Sequence, residues 1–224
     1  MTHSPRFVAV AALFASALIT ANLIAVKLIA LGPWVLPAAV VVFPVTYILG
    51  DVLTEVYGYG RARIVIWLGF ACNAVAVAAI WTAGALPAAV IWEGQEAWDA
   101  IFGFAPRVLA ASFAAFLVGE FANAYVLARM KVAMNGRWLW ARTIGSTIVG
   151  QGLDSAVFVT LAFLGTLPLP VIVTAVATQW LVKTAYEAAA TPLTYAVVGY
   201  LKRTEGVDVY DRDTRFNPLV LFGR

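Results

Sequence analysis

Cysteine and histidine occur once each in the 224 residues, as Cys72 and His3. An internal disulfide is therefore excluded, and so is a metal centre built from thiolate and imidazole ligands. Charge is scarce too: Asp, Glu, Lys and Arg make up 12% of the chain, about half of the roughly 25% usual in a soluble domain. No G-x-x-x-x-G-K-[ST] pattern is present, so the chain does not hydrolyse ATP through a phosphate-binding loop. Nor is there a basic module of the kind that grips nucleic acid. No cofactor is expected, and no enzymatic activity.

What is abundant is apolar surface. Hydrophobic residues account for 62% of the sequence and the mean hydropathy is +0.87, which places the chain among integral membrane proteins. The expected fold is an all-α bundle of six transmembrane helices in one domain, 1–224. The spans are read at about 7–31, 37–57, 64–86, 106–130, 143–164 and 170–201, bounded by Gly, Pro and Arg signals. The first apolar run is too long for a signal-peptide core and is read as a retained helix. Residues 87–105, with Trp92, Trp98, Phe102, Glu93, Glu96 and Asp99, read as a short interfacial amphipathic segment. The polar tail 202–224 reads as a short cytoplasmic extension.

Positive charge sets the expected orientation. Arg6, then Arg61 and Arg63, then Arg129, Lys131, Arg137 and Arg142, then Lys202, Arg203, Arg212, Arg215 and Arg224 fall on one side of such a bundle. The other side holds Arg107 alone, while Lys27 and Lys183 lie within spans. Both termini are therefore expected in the cytoplasm, and the net charge of +3 reflects topology rather than an affinity for nucleic acid.

Against this apolar background, Asp51, Glu55, Glu120, Asp154, Glu187 and Lys183 stand out within spans. Ionisable groups in hydrocarbon persist only when paired or lining a wet cavity. Asp51 and Glu55 share a face of the second span beside Thr46, Tyr47 and Gly50; they either line a site or neutralise Arg61 and Arg63 near the headgroups. Glu120 and Asn123 adjoin on the fourth span, more than three turns beyond Pro106 at about 1.5 Å per residue. Ser146, Thr147, Gln151, Asp154 and Ser155 recur at helical spacing on the fifth, where Gly145, Gly150 and Gly152 permit close approach of another helix. On the sixth, Lys183 and Glu187 are one turn apart and either neutralise each other or exchange partners, with Gln179, Tyr186 and Thr191 nearby and Pro192 just beyond. Asn22 adds an amide on the first span, and Lys27 is read as a side chain that reaches back to the surface.

Phe43–Arg63 (FPVTYILGDVLTEVYGYGRAR), Gly119–Lys131 (GEFANAYVLARMK), Arg142–Ser155 (RTIGSTIVGQGLDS) and Lys183–Tyr195 (KTAYEAAATPLTY) together resemble the queuosine precursor transporters, a branch of the vitamin uptake transporter group. The blocks span nearly the whole chain, and each carries an intramembrane acid. The resemblance implies a six-helix inner-membrane importer of 7-cyano- or 7-aminomethyl-7-deazaguanine. A deazaguanine offers adjacent N–H donors that one carboxylate accepts together, and a carbonyl that needs a donor. Glu120 or Asp154 is assigned the donors, Asn123 or Gln151 the remaining polar atoms, and Tyr47, Tyr186 or Trp180 the stacking face; Lys183, Glu187 and Asn22 complete the expected substrate-binding set. Asp51, Glu55, Lys183 and Glu187 are expected to couple or gate transport.

Three other functions were weighed. One is a substrate-binding subunit for another vitamin-like ligand, served by a separate ATPase module. Another is an intramembrane aspartyl protease using Asp51 and Asp154, but Leu153 interrupts the Gly-x-Gly-Asp order that such a site needs. A structural scaffold has no reason to keep five acids in its spans. Gly69 with Asn73, or small residues such as Ala111, Ala114 and Ala115, serve either an internal contact or a subunit interface, and a homodimer is the expected assembly.

Overall fold

The computed structural model describes residues 4–31, 34–103 and 106–220. His3 and Arg224 lie outside them. The described chain forms α1 (Pro5–Ile24), an antiparallel hairpin of β1 (Leu28–Leu31) and β2 (Trp34–Pro37), a 3-10 turn at Ala38–Val41, then α2 (Phe43–Tyr57), α3 (Tyr59–Ala85), the short α4 (Gln95–Phe102), α5 (Pro106–Ala133), α6 (Leu139–Phe163) and α7 (Leu169–Glu205). Among the described residues, five stretches are long and apolar enough to cross a membrane: Pro5–Ile24, Ala38–Tyr57, Tyr59–Ala85, Gln95–Ala133 and Leu139–Phe163. The chain is a multi-pass membrane protein.

The sequence reading expects six spans, and α7 is the one outside those five. It is also the longest helix, with 37 residues. Gln179, Lys183, Tyr186 and Glu187 interrupt its apolar run, and it packs instead against α6 and α2.

Among the boundaries that differ from the sequence reading, two have a plain local cause. The first helix stops at Ile24 rather than near 31, because Leu28–Leu31 pairs with Trp34–Pro37 in register Leu28↔Pro37 to Leu31↔Trp34. The apolar character that extended the span on paper belongs to a strand. The third helix begins at Tyr59 rather than Ile64, since Gly58 alone turns the chain between α2 and α3. Gly58 holds φ +83°, which a side chain rarely adopts, and a Cβ there would lie 2.6 Å from Val209.

Both ends of the bundle's chain meet at one face. Ser4 caps α1 by accepting the Phe7 N–H at 3.1 Å and donates its hydroxyl to Glu205 at 2.6 Å, at the end of α7. An apolar core of Phe14, Leu18, Val52, Leu53, Val56, Ile66 and their neighbours holds α1, α2 and α3 together. Gly69 packs its bare face on Phe14 and Leu18, and Ala111 and Ala115 are buried, so these small residues serve contacts within the bundle.

The tail is not a free extension. Residues 207–218 lie back across the ends of α2, α3 and α5. The Val209 N–H donates to the Val56 carbonyl, Asp211 accepts the Tyr59 N–H at 3.0 Å, and Arg63 donates to the carbonyls of Arg215 and Asn217. The Trp67 indole donates to the Pro218 carbonyl at 2.8 Å, and Phe216 packs on Tyr59 and Tyr125. Arg63 is thus engaged with this strap. α4 is exposed, with Trp98 packed against Trp92 and Phe102.

Candidate functional site

α5 and α6 cross in close contact because two glycines meet there. An added Cβ on Gly119 would come within 2.7 Å of both the Asp154 Cβ and the Tyr47 hydroxyl, and one on Gly150 within 2.6 Å of the Asn123 Cβ. Without side chains at these positions, polar groups from α2, α5 and α6 converge inside the bundle. Gly50 does the same on α2, where an added Cβ would fall 2.0 Å from a Glu120 carboxylate oxygen.

The result is a polar belt. Tyr47, Asp51, Glu120, Asn123, Thr147, Gln151, Asp154, Ser155 and Glu187 are all buried. Two contacts inside it are closed: Asn123 donates its amide to Asp51 at 2.7 Å, and the Lys183 ammonium meets Asp154 at 2.5 Å. Many of its other atoms are not. Among the described residues, the Tyr47 hydroxyl, both carboxylate oxygens of Glu120, the Asn123 carbonyl and the Ser155 hydroxyl have no hydrogen-bond partner, and Glu187, Thr147 and Gln151 neighbour one another without a bond of good geometry. Leaving a buried polar atom unpaired costs about 1–3 kcal/mol, so a cluster of them is not explained by stability.

On the hairpin side of this belt lies a cavity of about 140 Å³. Its walls are apolar and aromatic, from Phe43, Phe113, Phe116 and Phe158, and its polar contributions come from Asn22, Asn73, Ser112 and Gln179 on four different helices. Asp154 and Lys183 line it as well. The Lys183 ammonium also rests 4.6 Å from the centre of the Phe43 ring, a cation–π contact.

On the tail side the chemistry changes from unpaired to saturated. Glu55 is fully buried and meets Arg142, Lys202 at 2.6 Å and Lys131 at 3.7 Å. Lys131 and Lys202 in turn hold Asp208 of the strap at 2.5 and 2.9 Å, and Lys131 donates to the carbonyls of Glu55 and Val209. Burial pushes the Asp208 carboxyl up, but the bonds from Lys131 and Lys202 outweigh it and leave the group below its ordinary range.

The structure therefore brings together Tyr47, Asp51, Glu120, Asn123, Gln151, Asp154, Lys183 and Glu187 from the expected set, with Asn22 in the adjoining cavity wall. Trp180 and Tyr186 are not with them. Both are exposed on the outer face of α7, and the Trp180 indole donates to the Ile148 carbonyl at 2.9 Å. Periodicity could not assign those rings a direction, because polar residues of α7 lie on more than one of its faces. Glu55 belongs to the tail-side cluster, and its partners are Arg142, Lys131 and Lys202 rather than Arg61 or Arg63. Lys183 pairs with Asp154, not with Glu187. Asn73 and the four phenylalanines were missed as site residues. An amide isolated in the apolar α3 was the available signal for the first; phenylalanine in a membrane helix gives none.

A bundle of apolar helices enclosing a cavity, an ion pair and a belt of unsatisfied polar groups defines a membrane transporter, and residues 37–197 match the vitamin uptake transporter family, to which this chain belongs. Over 181 residues it is 32% identical to a protein from Bacillus subtilis (strain 168) named "Probable queuosine precursor transporter", covering 80% of this chain and 79% of that protein. No solved structure matches the chain.

Proposed function

We propose that the protein imports 7-cyano- or 7-aminomethyl-7-deazaguanine across the inner membrane as a secondary or facilitative carrier. The observation that carries this reading is the cavity: aromatic walls on a scale that fits one planar ring, over a carboxylate already holding a displaceable cation. A deazaguanine stacked on Phe43 or Phe158 would present its adjacent N–H donors to Asp154. Glu120 and Gln151 in the belt below offer the same pairing of acceptor and donor for passage through the bundle. The name of the Bacillus subtilis relative supports the substrate class.

Orientation follows the same proposal. Arg61, Arg63, Lys131, Arg142, Lys202 and the strap gather at the end where Ser4 meets Glu205, and this end is assigned to the cytoplasm. Of the carboxylates expected to couple a proton, Glu55 is committed to three cations, which leaves Asp51 and Glu187.

The test is binding and uptake by the purified chain. Saturable binding of 7-cyano-7-deazaguanine, with guanine and biotin as competitors, and uptake into proteoliposomes are expected, with Asp154→Asn abolishing uptake while the protein remains in the membrane. Uptake at the parental rate in that variant refutes the role of Asp154. Binding without uptake favours a subunit that borrows a separate ATPase.

A further inference from the structure

Lys183 shares its region with more carboxyl groups than one ammonium can pair with. Asp154, Glu120, Glu187 and Asp51 all act electrostatically on the Tyr47 hydroxyl, so the four carboxylates share one interior region. Among the described residues Lys183 is the cation bonded within that group, and its bond goes to Asp154. Asp51 is occupied by the Asn123 amide, and Glu120 lies on α5 with its carboxylate pressed against Gly50. Glu187 remains: it is 4% exposed, it is one turn from Lys183 on the same helix, and among the described residues no cation is bonded to it. Its neighbours are Thr147, Gln151 and Asp51, none of which carries a positive charge.

We infer that Glu187 is a positioning residue, the second seat for the Lys183 ammonium when substrate claims Asp154. The inference rests on the substrate reading above. A ligand whose two N–H donors take both oxygens of Asp154 competes directly with Lys183. The displaced ammonium cannot remain unpaired in an apolar interior. Residues four apart on a helix lie on one face, so Lys183 reaches Glu187 by rotation of its side chain, with no movement of α7. Glu187 is also further toward the tail side than Asp154's cavity, so the exchange withdraws the cation from the cavity floor and exposes the belt beneath it. That Glu187 holds no cation at rest is then part of the cycle: a carboxylate already paired with one could not receive the lysine.

Reconstituted Glu187→Gln, probed with 7-cyano-7-deazaguanine, distinguishes this from other roles. The amide keeps the shape but cannot neutralise an ammonium, so the expected result is a Kd within about twofold of the parent and uptake reduced by at least about tenfold, a split between binding and turnover. Glu187→Asp restores the charge and is expected to recover most of the uptake; it also supplies the comparison if the glutamine variant cannot be recovered folded. Parental uptake in Glu187→Gln overturns the inference. Equal losses of binding and uptake overturn it too, since they place Glu187 on the ligand itself. Absence of any binding by the parent protein is a separate result and removes the substrate reading on which the exchange depends.

Discussion

Gly119 of α5 and Gly150 of α6 meet face to face, each with its missing side chain directed at the other's carbonyl oxygen, 3.0 and 2.9 Å from where a Cβ would stand. This contact draws Asp154, Tyr47 and Asn123 into one region. Gly150→Ala would drive a methyl group into Asn123, with overpacking that costs about 1–3 kcal/mol. The expected outcome is a lowered melting temperature in detergent together with loss of substrate binding; Gly60→Ala, on α3 with nothing within 4 Å, is expected to leave binding unchanged.

Glu55 anchors the tail-side cluster. Its replacement by Gln leaves Arg142, Lys131 and Lys202 without their shared carboxylate, and breaking a buried pair on one side costs about 3–5 kcal/mol. Lys202→Gln removes a cation whose side chain is 24% exposed and leaves Glu55 two others. Thermal melting is expected to show the Glu55 variant clearly less stable than the Lys202 variant.

The strap has a pH signature of known sign. The Asp208 carboxyl is held below its ordinary range by Lys131 and Lys202, so its contribution is present above the unfolded value of about 3.9 and is lost as pH falls through the lower folded value. Hydrogen exchange of residues 207–218 is expected to stay slow at neutral pH and to quicken only below about pH 4. Asp208→Asn is expected to quicken it at neutral pH.

Phe43 serves two contacts, one with the cavity and one with the Lys183 ammonium. Phe43→Leu keeps apolar volume but removes the ring face on which the base would stack, and an aromatic pair is worth about 0.5–1.5 kcal/mol beyond its buried area. Affinity for 7-cyano-7-deazaguanine, read by calorimetry, is expected to weaken by a corresponding twofold to about tenfold.

Much of this molecule was legible from its residues. A lone acid in a long apolar helix is improbable on lipid-facing surface, so Glu120, Asn123, Gln151 and Asp154 pointed inward before any coordinates. Partnership was harder to read. Lys183 and Glu187 satisfy every spacing rule for a pair, yet Asp154 from another helix takes the lysine, and no local pattern encodes which of several carboxylates lies nearest across a helix crossing. The same holds for Glu55, whose three cations come from α5, α6 and α7. The strap is not legible in the sequence, because many of its ties go to backbone carbonyls at 209, 215, 217 and 218, groups that every residue possesses, and the partners of Asp208 and Asp211 come from distant parts of the chain. The hairpin was hidden inside an apolar run that serves a strand as well as a helix.

The lysine that closes the cavity and the lysine that helps close the opposite end both belong to α7: Lys183 reaches Asp154 and Lys202 reaches Glu55. Nineteen residues separate them, a lever arm of about 28 Å at 1.5 Å per residue. Pro192 falls near its middle and deletes one rung of the backbone ladder. A tilt that loosens one lysine is thus transmitted to the other, unless the proline acts as the pivot that lets the two halves move separately.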